Sequence, residues 1–160
     1  MIQEILRNSS PVYPLWAVFM LVLSLILVNK EEYKYLFPHG LLGGVTTSII
    51  LIIFIKIIKS WKYTSSNPYI VLGVPIFIVL AWFAAKIIFL WGLPKKTSKW
   101  VIYLYIGLFA ILGAAIDYIF HNLGLRPYAK WYRAWMWFFV LFLNFWISYK
   151  IYLLRKKYLD

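Results

Sequence analysis

The sequence predicts an all-α, polytopic membrane protein: one domain, residues 1–160, built as a bundle of five transmembrane helices. Composition is the first observation behind this. Of the 160 residues 64% are hydrophobic and 14% charged, where a soluble domain is about half apolar and a quarter charged. A small soluble fold hides only roughly two-thirds of its surface, and so apolar a chain has no reason to stay disordered. The second observation is spacing. Charges interrupt the chain at intervals that leave apolar runs near the ~20 residues needed to cross the hydrocarbon. The third is the gathering of aromatic rings at the ends of those runs, where amphipathic rings meet the headgroups.

The first span is expected over about 12–29, bounded by Lys30, Glu31, Glu32 and Lys34. It ends without a small-x-small cleavage pattern and is read as a retained helix. The second, about 40–58, opens after Pro38 and Gly40 and closes at Lys56, Lys59 and Lys62. Asn67-Pro68 opens the third, about 69–92, and Gly92-Leu93-Pro94 closes it. The fourth, about 100–120, runs to a turn at Gly124 and Pro127, and the fifth covers about 134–154. Trp61, Tyr63, Trp91, Trp100, Tyr128, Trp131, Tyr132 and Trp135 supply the interfacial rings. Continuous apolar runs, in place of alternation, argue against a β-barrel.

The net charge of +12 would suggest nucleic acid in a soluble protein. Here every basic cluster flanks an apolar run, so the expected partner is the bilayer, with anionic lipids at the basic C-terminus, and no nucleic acid. Five spans place the termini on opposite sides of a cell membrane. Arg7, Lys56, Lys59, Lys62, Arg126, Lys130 and Arg133 fall on the N-terminal side. Lys30, Lys34, Lys95, Lys96, Lys99, Lys150, Arg155, Lys156 and Lys157 fall on the other, so a cytoplasmic C-terminus and an outside N-terminus are expected. With no cysteine there is neither disulfide nor thiolate metal site. His39 and His121 belong to opposite faces, so no metal site is expected, and no cofactor can be read from the residues.

Ionisable groups at membrane depth are costly and mark candidate sites. Asp117 lies near the end of the fourth span. Gly107, Ala110, Ala114, Asp117 and His121 fall within roughly an 80° arc of a helix, a small-residue face that admits a neighbouring helix. Asp117 and His121 would then point inward together, able to relay protons, hold a cation or grip a polar head. The alternative is a staple in which Asp117 pairs with Arg126, Arg133 or Lys56. Lys86 is expected to snorkel outward, at a depth that keeps it from Asp117. Gly40, Gly44 and Ser48 form a small-xxx-small stripe suited to an internal contact or a homodimer. Asn144 and Ser148, amid the aromatics of the fifth span, read as an interhelical hydrogen bond or as the polar anchor of an aromatic ligand pocket.

The run from His39 to Phe54, Trp61-Lys62-Tyr63, Leu72-Gly73-Val74-Pro75 through Ala81-Trp82-Phe83, and Ala115-Ile116-Asp117-Tyr118 through Arg126-Pro127-Tyr128 to Trp131 resembles a family. Its members are small five-span membrane proteins of Gram-positive, often spore-forming bacteria, of unestablished function. The resemblance implies a fold and no catalytic residues. Pro127-Tyr128 and Leu143-Asn144-Phe145 are similar to the last helix of the tryptophan-rich sensory (translocator) proteins, five-span binders of porphyrins and sterol-like ligands. The proline- and tryptophan-rich start of that family's first helix and its Trp-x-x-Leu-Phe-Phe motif are absent here, so the ligand class does not carry over.

The function expected is that of a small integral membrane protein binding or passing a hydrophobic or amphipathic small molecule. The alternative is an accessory subunit packed against a larger membrane protein. A membrane enzyme on a lipid-like substrate comes third, because Asp117 has no second carboxylate at depth for acid–base chemistry.

Overall fold

The computed structural model describes residues 10–64, 69–95 and 97–159, with side chains as far as Arg155. Asn67-Pro68, Arg7, Lys96 and the side chains of Lys156 and Lys157 lie outside the described residues. Among the described residues the fold has five α-helices: α1 Val12–Leu27, α2 Lys30–Ile52, α3 Ile76–Trp91, α4 Lys99–Asn122 and α5 Ala134–Leu159. α3 packs against both α1 and α2, α4 lies along α5, and α5 in turn touches α2 and α3.

Two boundaries differ from the sequence reading. α2 begins at Lys30 rather than near Gly40, with Pro38 inside it. Its start is set by Asn29, whose side chain accepts from the Glu32 amide and donates to the Glu32 carboxylate, while Glu31 and Glu32 favour the positive helix end. That cap outweighs the breaker signal of Pro38. At its other end α2 widens into a π-helical turn, Ile53–Ile57. α3 begins at Ile76 rather than near 69, because a two-stranded hairpin (β1 Ile70–Val71, β2 Val74–Pro75) precedes it. Leu72 and Gly73 form its tip at φ 52° and 90°, a left-handed pair that Gly73 makes affordable.

Among the described residues three helices are long and apolar enough to cross a membrane: Lys30–Ile57, Lys99–Asn122 and Ala134–Arg155. α1 and α3 have 16 residues each, about 24 Å at 1.5 Å per residue against a ~30 Å hydrocarbon core. The outside of the bundle is apolar. Phe19, Ile26, Leu108, Ile111 and Phe139 are all more than half exposed, which suits lipid and not water.

The small-residue stripes resolve differently on the two helices. On α2, an added methyl at Gly40 would lie 2.7 Å from Ile87, and Gly44 lies in ordinary contact with Phe83. The α2–α3 seam therefore uses this stripe inside the chain. Ser48 turns its hydroxyl back onto the Gly44 carbonyl (2.7 Å). On α4 the buried positions are Ile106, Ala110, Asp117 and Phe120, with Gly113 against Leu141 and Trp82. Gly107 meets nothing within 4 Å and Ala114 is only half-buried. The packing face is thus turned from the expected one, because bulky Ile106 and Phe120 seek the core as strongly as small residues permit approach.

Candidate functional site

Two loops close one end of the bundle. The segment 60–64 after α2 lies beside 124–129 after α4, joined by Ala129 N donating to the Ser60 carbonyl (2.7 Å) and Thr64 N to the Leu125 carbonyl (3.0 Å). Tyr13, buried on α1, donates to the carbonyls of Thr64 and Leu125 (2.9 and 2.7 Å) and ties both loops to the first helix. Gly124 at φ 72° allows the chain to reverse after α4. That reversal carries Arg126 back under the helix that precedes it.

Arg126 is 4% exposed. Its Nη1 pairs with Asp117 Oδ1, and Tyr128 donates its hydroxyl to Asp117 Oδ2. The guanidinium lies over Trp61, 3.7 Å from the ring centre, and within 4.9 Å of Trp137, an arrangement that offsets part of the cost of its burial. Burial pushes its pKa down, and the surrounding Tyr63, Tyr132 and Tyr128 oppose that shift. Burial likewise raises the Tyr63 phenol, and Arg126 pulls the other way. The Tyr128 phenol is pushed up to about 12 by burial, against the pull of Arg126.

The other predicted partners of Asp117 are elsewhere. Arg133 donates to the carbonyls of Lys130 and Tyr132 (2.8 and 3.0 Å), and Lys56 is exposed, its stem running beside Gly73. The Asp117–His121 pair expected from their spacing does not form. His121 stacks on Tyr128 (3.9 Å, 2°), and its Nδ1 faces the Arg126 carbonyl at 3.2 Å. Tyr128 arrives from the loop and stands between them. Trp61 and Tyr132, expected at the interface, are buried in the floor.

Above this floor lies a cavity of about 320 Å³ between α1, α3 and α4, with α5 behind. Trp16 and Leu23 of α1, Trp82 and Ala85 of α3, and Phe109 and Leu112 of α4 line it. Asp117, Arg126 and Tyr63 form its polar end. α1 and α4 meet near the floor, where Tyr13 and Trp16 set their rings against Phe120, and the space opens along α3 above that contact.

A second polar cluster lies across α3 from the cavity. Lys86 is fully buried, which corrects the outward snorkel expected of it. Its Nζ donates to the Asn144 carbonyl (3.3 Å), Asn144 Oδ1 (3.2 Å) and Ser148 Oγ (2.9 Å), and lies 4.2 Å from the centre of the Phe145 ring. Asn144 Nδ2 donates to Thr47 Oγ1 (3.0 Å). A methyl on Gly43 would overlap the Lys86 stem, so the missing side chain of Gly43 is what admits the lysine. Asn144 and Ser148 are therefore engaged with Lys86 and Thr47 and take no part in lining the cavity, whereas Phe145 separates the two clusters. Sequence reasoning overlooked the link because no spacing rule joins residues 86 and 144. The signal available was a glycine facing a long side chain on the next helix.

Comparison with protein-family models, curated proteins and solved structures finds no match.

Proposed function

We propose that the chain is a five-span protein of the cell membrane that binds or passes a hydrophobic or amphipathic small molecule in the cavity between α1, α3 and α4. The observation that carries the reading is the cavity itself: about 320 Å³, aromatic and aliphatic along its sides, with one buried ion pair at its end. Small-molecule sites are mostly apolar clefts of this order of size with a few placed polar groups. α1 and α3 span with their flanking loops, and the lysines and arginines at either end sit at headgroup depth. The basic cluster at the end of α5 faces the cytoplasm on the charge rule, with the N-terminus outside.

Purification of the full chain in mild detergent, followed by native mass and absorbance spectra, tests this. A retained non-protein molecule of constant mass is expected. A stoichiometric co-purifying protein in its place would favour the accessory-subunit reading, for which the exposed apolar faces of α4 and α5 offer a surface.

A further inference from the structure

The floor of the cavity gathers buried polar atoms that lack a fixed hydrogen-bond partner, Asp117 Oδ1 among them, and most of them are donors. Arg126 Nε and Nη2, Trp61 Nε1 and Trp137 Nε1 are buried without a hydrogen-bond partner, as are the hydroxyls of Tyr132 and Ser60. Guanidinium and indole nitrogens can only donate, and native interiors leave few such groups unpaired. These are concentrated in one place: Trp61 lies 5.0 Å from both Trp137 and Tyr132, ring centre to ring centre, and Arg126 rests on Trp61. Asp117 engages Nη1 and the Tyr63 hydroxyl lies within reach of the guanidinium, while Nε and Nη2 have no fixed hydrogen-bond partner. The Nε–Nη2 edge is the fork that takes an oxyanion through two parallel hydrogen bonds.

Charge points the same way. Asp117 and Arg126 cancel, while Lys56, Lys59, Lys62, Lys130 and Arg133 stand in the loops and helix ends on this side. The other described carboxylates, Glu31 and Glu32, belong to the opposite end of the bundle at the start of α2. The local field at the floor is positive.

The geometry points to an oxyanion site: the polar end of the cavity takes the carboxylate or phosphate head of a single-chain amphiphile, with Arg126 Nε and Nη2 and Trp137 Nε1 as donors. The inference rests on the cavity being a binding site, and it adds the class of ligand. Arg126 and Trp137 both line the cavity. From Asp117 to Phe109 the wall rises about 12 Å along α4, and a space of about 320 Å³ suits one chain beside Trp16 and Trp82.

The test titrates ω-bromodecanoate and ω-bromodecanol into the full chain in neutral-lipid nanodiscs, reading quenching of tryptophan beside the chain, Trp16 and Trp82. Decanoate is expected to bind about tenfold tighter or more, the worth of a charge-assisted hydrogen bond. Trp137→Phe should reduce the preference for decanoate over decanol. Asp117→Asn, by releasing Arg126, should strengthen decanoate binding. Displacement of decanoate by lysophosphatidylglycerol, which has one chain, would assign the head to a lipid. Displacement by inorganic phosphate at the same concentration would take the chain out of the recognition and overturn the amphiphile. Equal binding of acid and alcohol would overturn the oxyanion site while leaving the cavity reading intact. Absence of quenching by either would overturn both.

Discussion

Asp117 holds the floor through two partners, and their removal should differ in cost. Asp117→Asn leaves Arg126 buried and unneutralised, so it should lower unfolding stability by about 3 kcal/mol. Tyr128→Phe removes one hydrogen bond to the carboxylate and should cost about 1 kcal/mol. Denaturant unfolding in a fixed detergent compares them; equal small losses would mean that the pair contributes no net stability. Lys86 permits a sharper test. Asn144→Leu strips it of an acceptor and should cost about 3 kcal/mol, whereas Lys86→Met with Asn144→Leu should recover most of that loss. Additive losses in this double-mutant cycle would deny the coupling. The sign of the alkaline response follows from Tyr128. Below pH 10 its phenol is protonated whether folded or unfolded, whereas its folded value is pushed up to about 12. The unfolded chain therefore loses its proton first, and stability should fall as pH rises from about 10 towards 12. Thermal melts across that range read it directly.

At the scale of elements the two glycine stripes give opposite expectations. Gly43→Ala intrudes on the Lys86 stem and should cost about 1–3 kcal/mol. Gly107 meets nothing within 4 Å, so Gly107→Ala should gain up to about 1 kcal/mol from helix propensity alone. Melting temperatures that move in the same direction for both would show that α4 is rotated from the orientation described. These elements also show which signals the residues carried. Apolar runs, breakers and basic flanks located all five helices, because each is a local pattern. The Asn29 cap is equally local, an Asn with Glu three residues on, but Pro38 is the stronger breaker signal in the sequence. The 70–75 hairpin was hidden because Ile70-Val71 and Val74-Pro75 are as apolar as the helix that follows. The partners of Asp117 were narrowed to three cations by chain proximity. The structure places Arg126 there because Gly124 reverses the chain, and it keeps His121 away because Tyr128 occupies the space between. Lys86 is buried instead of snorkelling because its surroundings are set by Gly43, Asn144 and Ser148 on other helices, which no local pattern around residue 86 carries.

The whole molecule has an apolar exterior, one polar knot that joins α2, α3 and α5 through Lys86, and one floor that joins the loops beneath α1 and α4. Above the floor, on the side of α3 away from the knot, the helices leave a half-open space of about 320 Å³. The proposed function rests on that space. Ala85, on α3, lines it, and Ala85→Phe should fill it. The most direct measurement is therefore a pair of native mass spectra in one mild detergent, wild type beside Ala85→Phe, each with its melting temperature. The account predicts an adduct on the wild type that is missing from the variant, and a variant at least as stable as the emptied wild type. An identical adduct on both proteins, or none on either together with a destabilised variant, would contradict it.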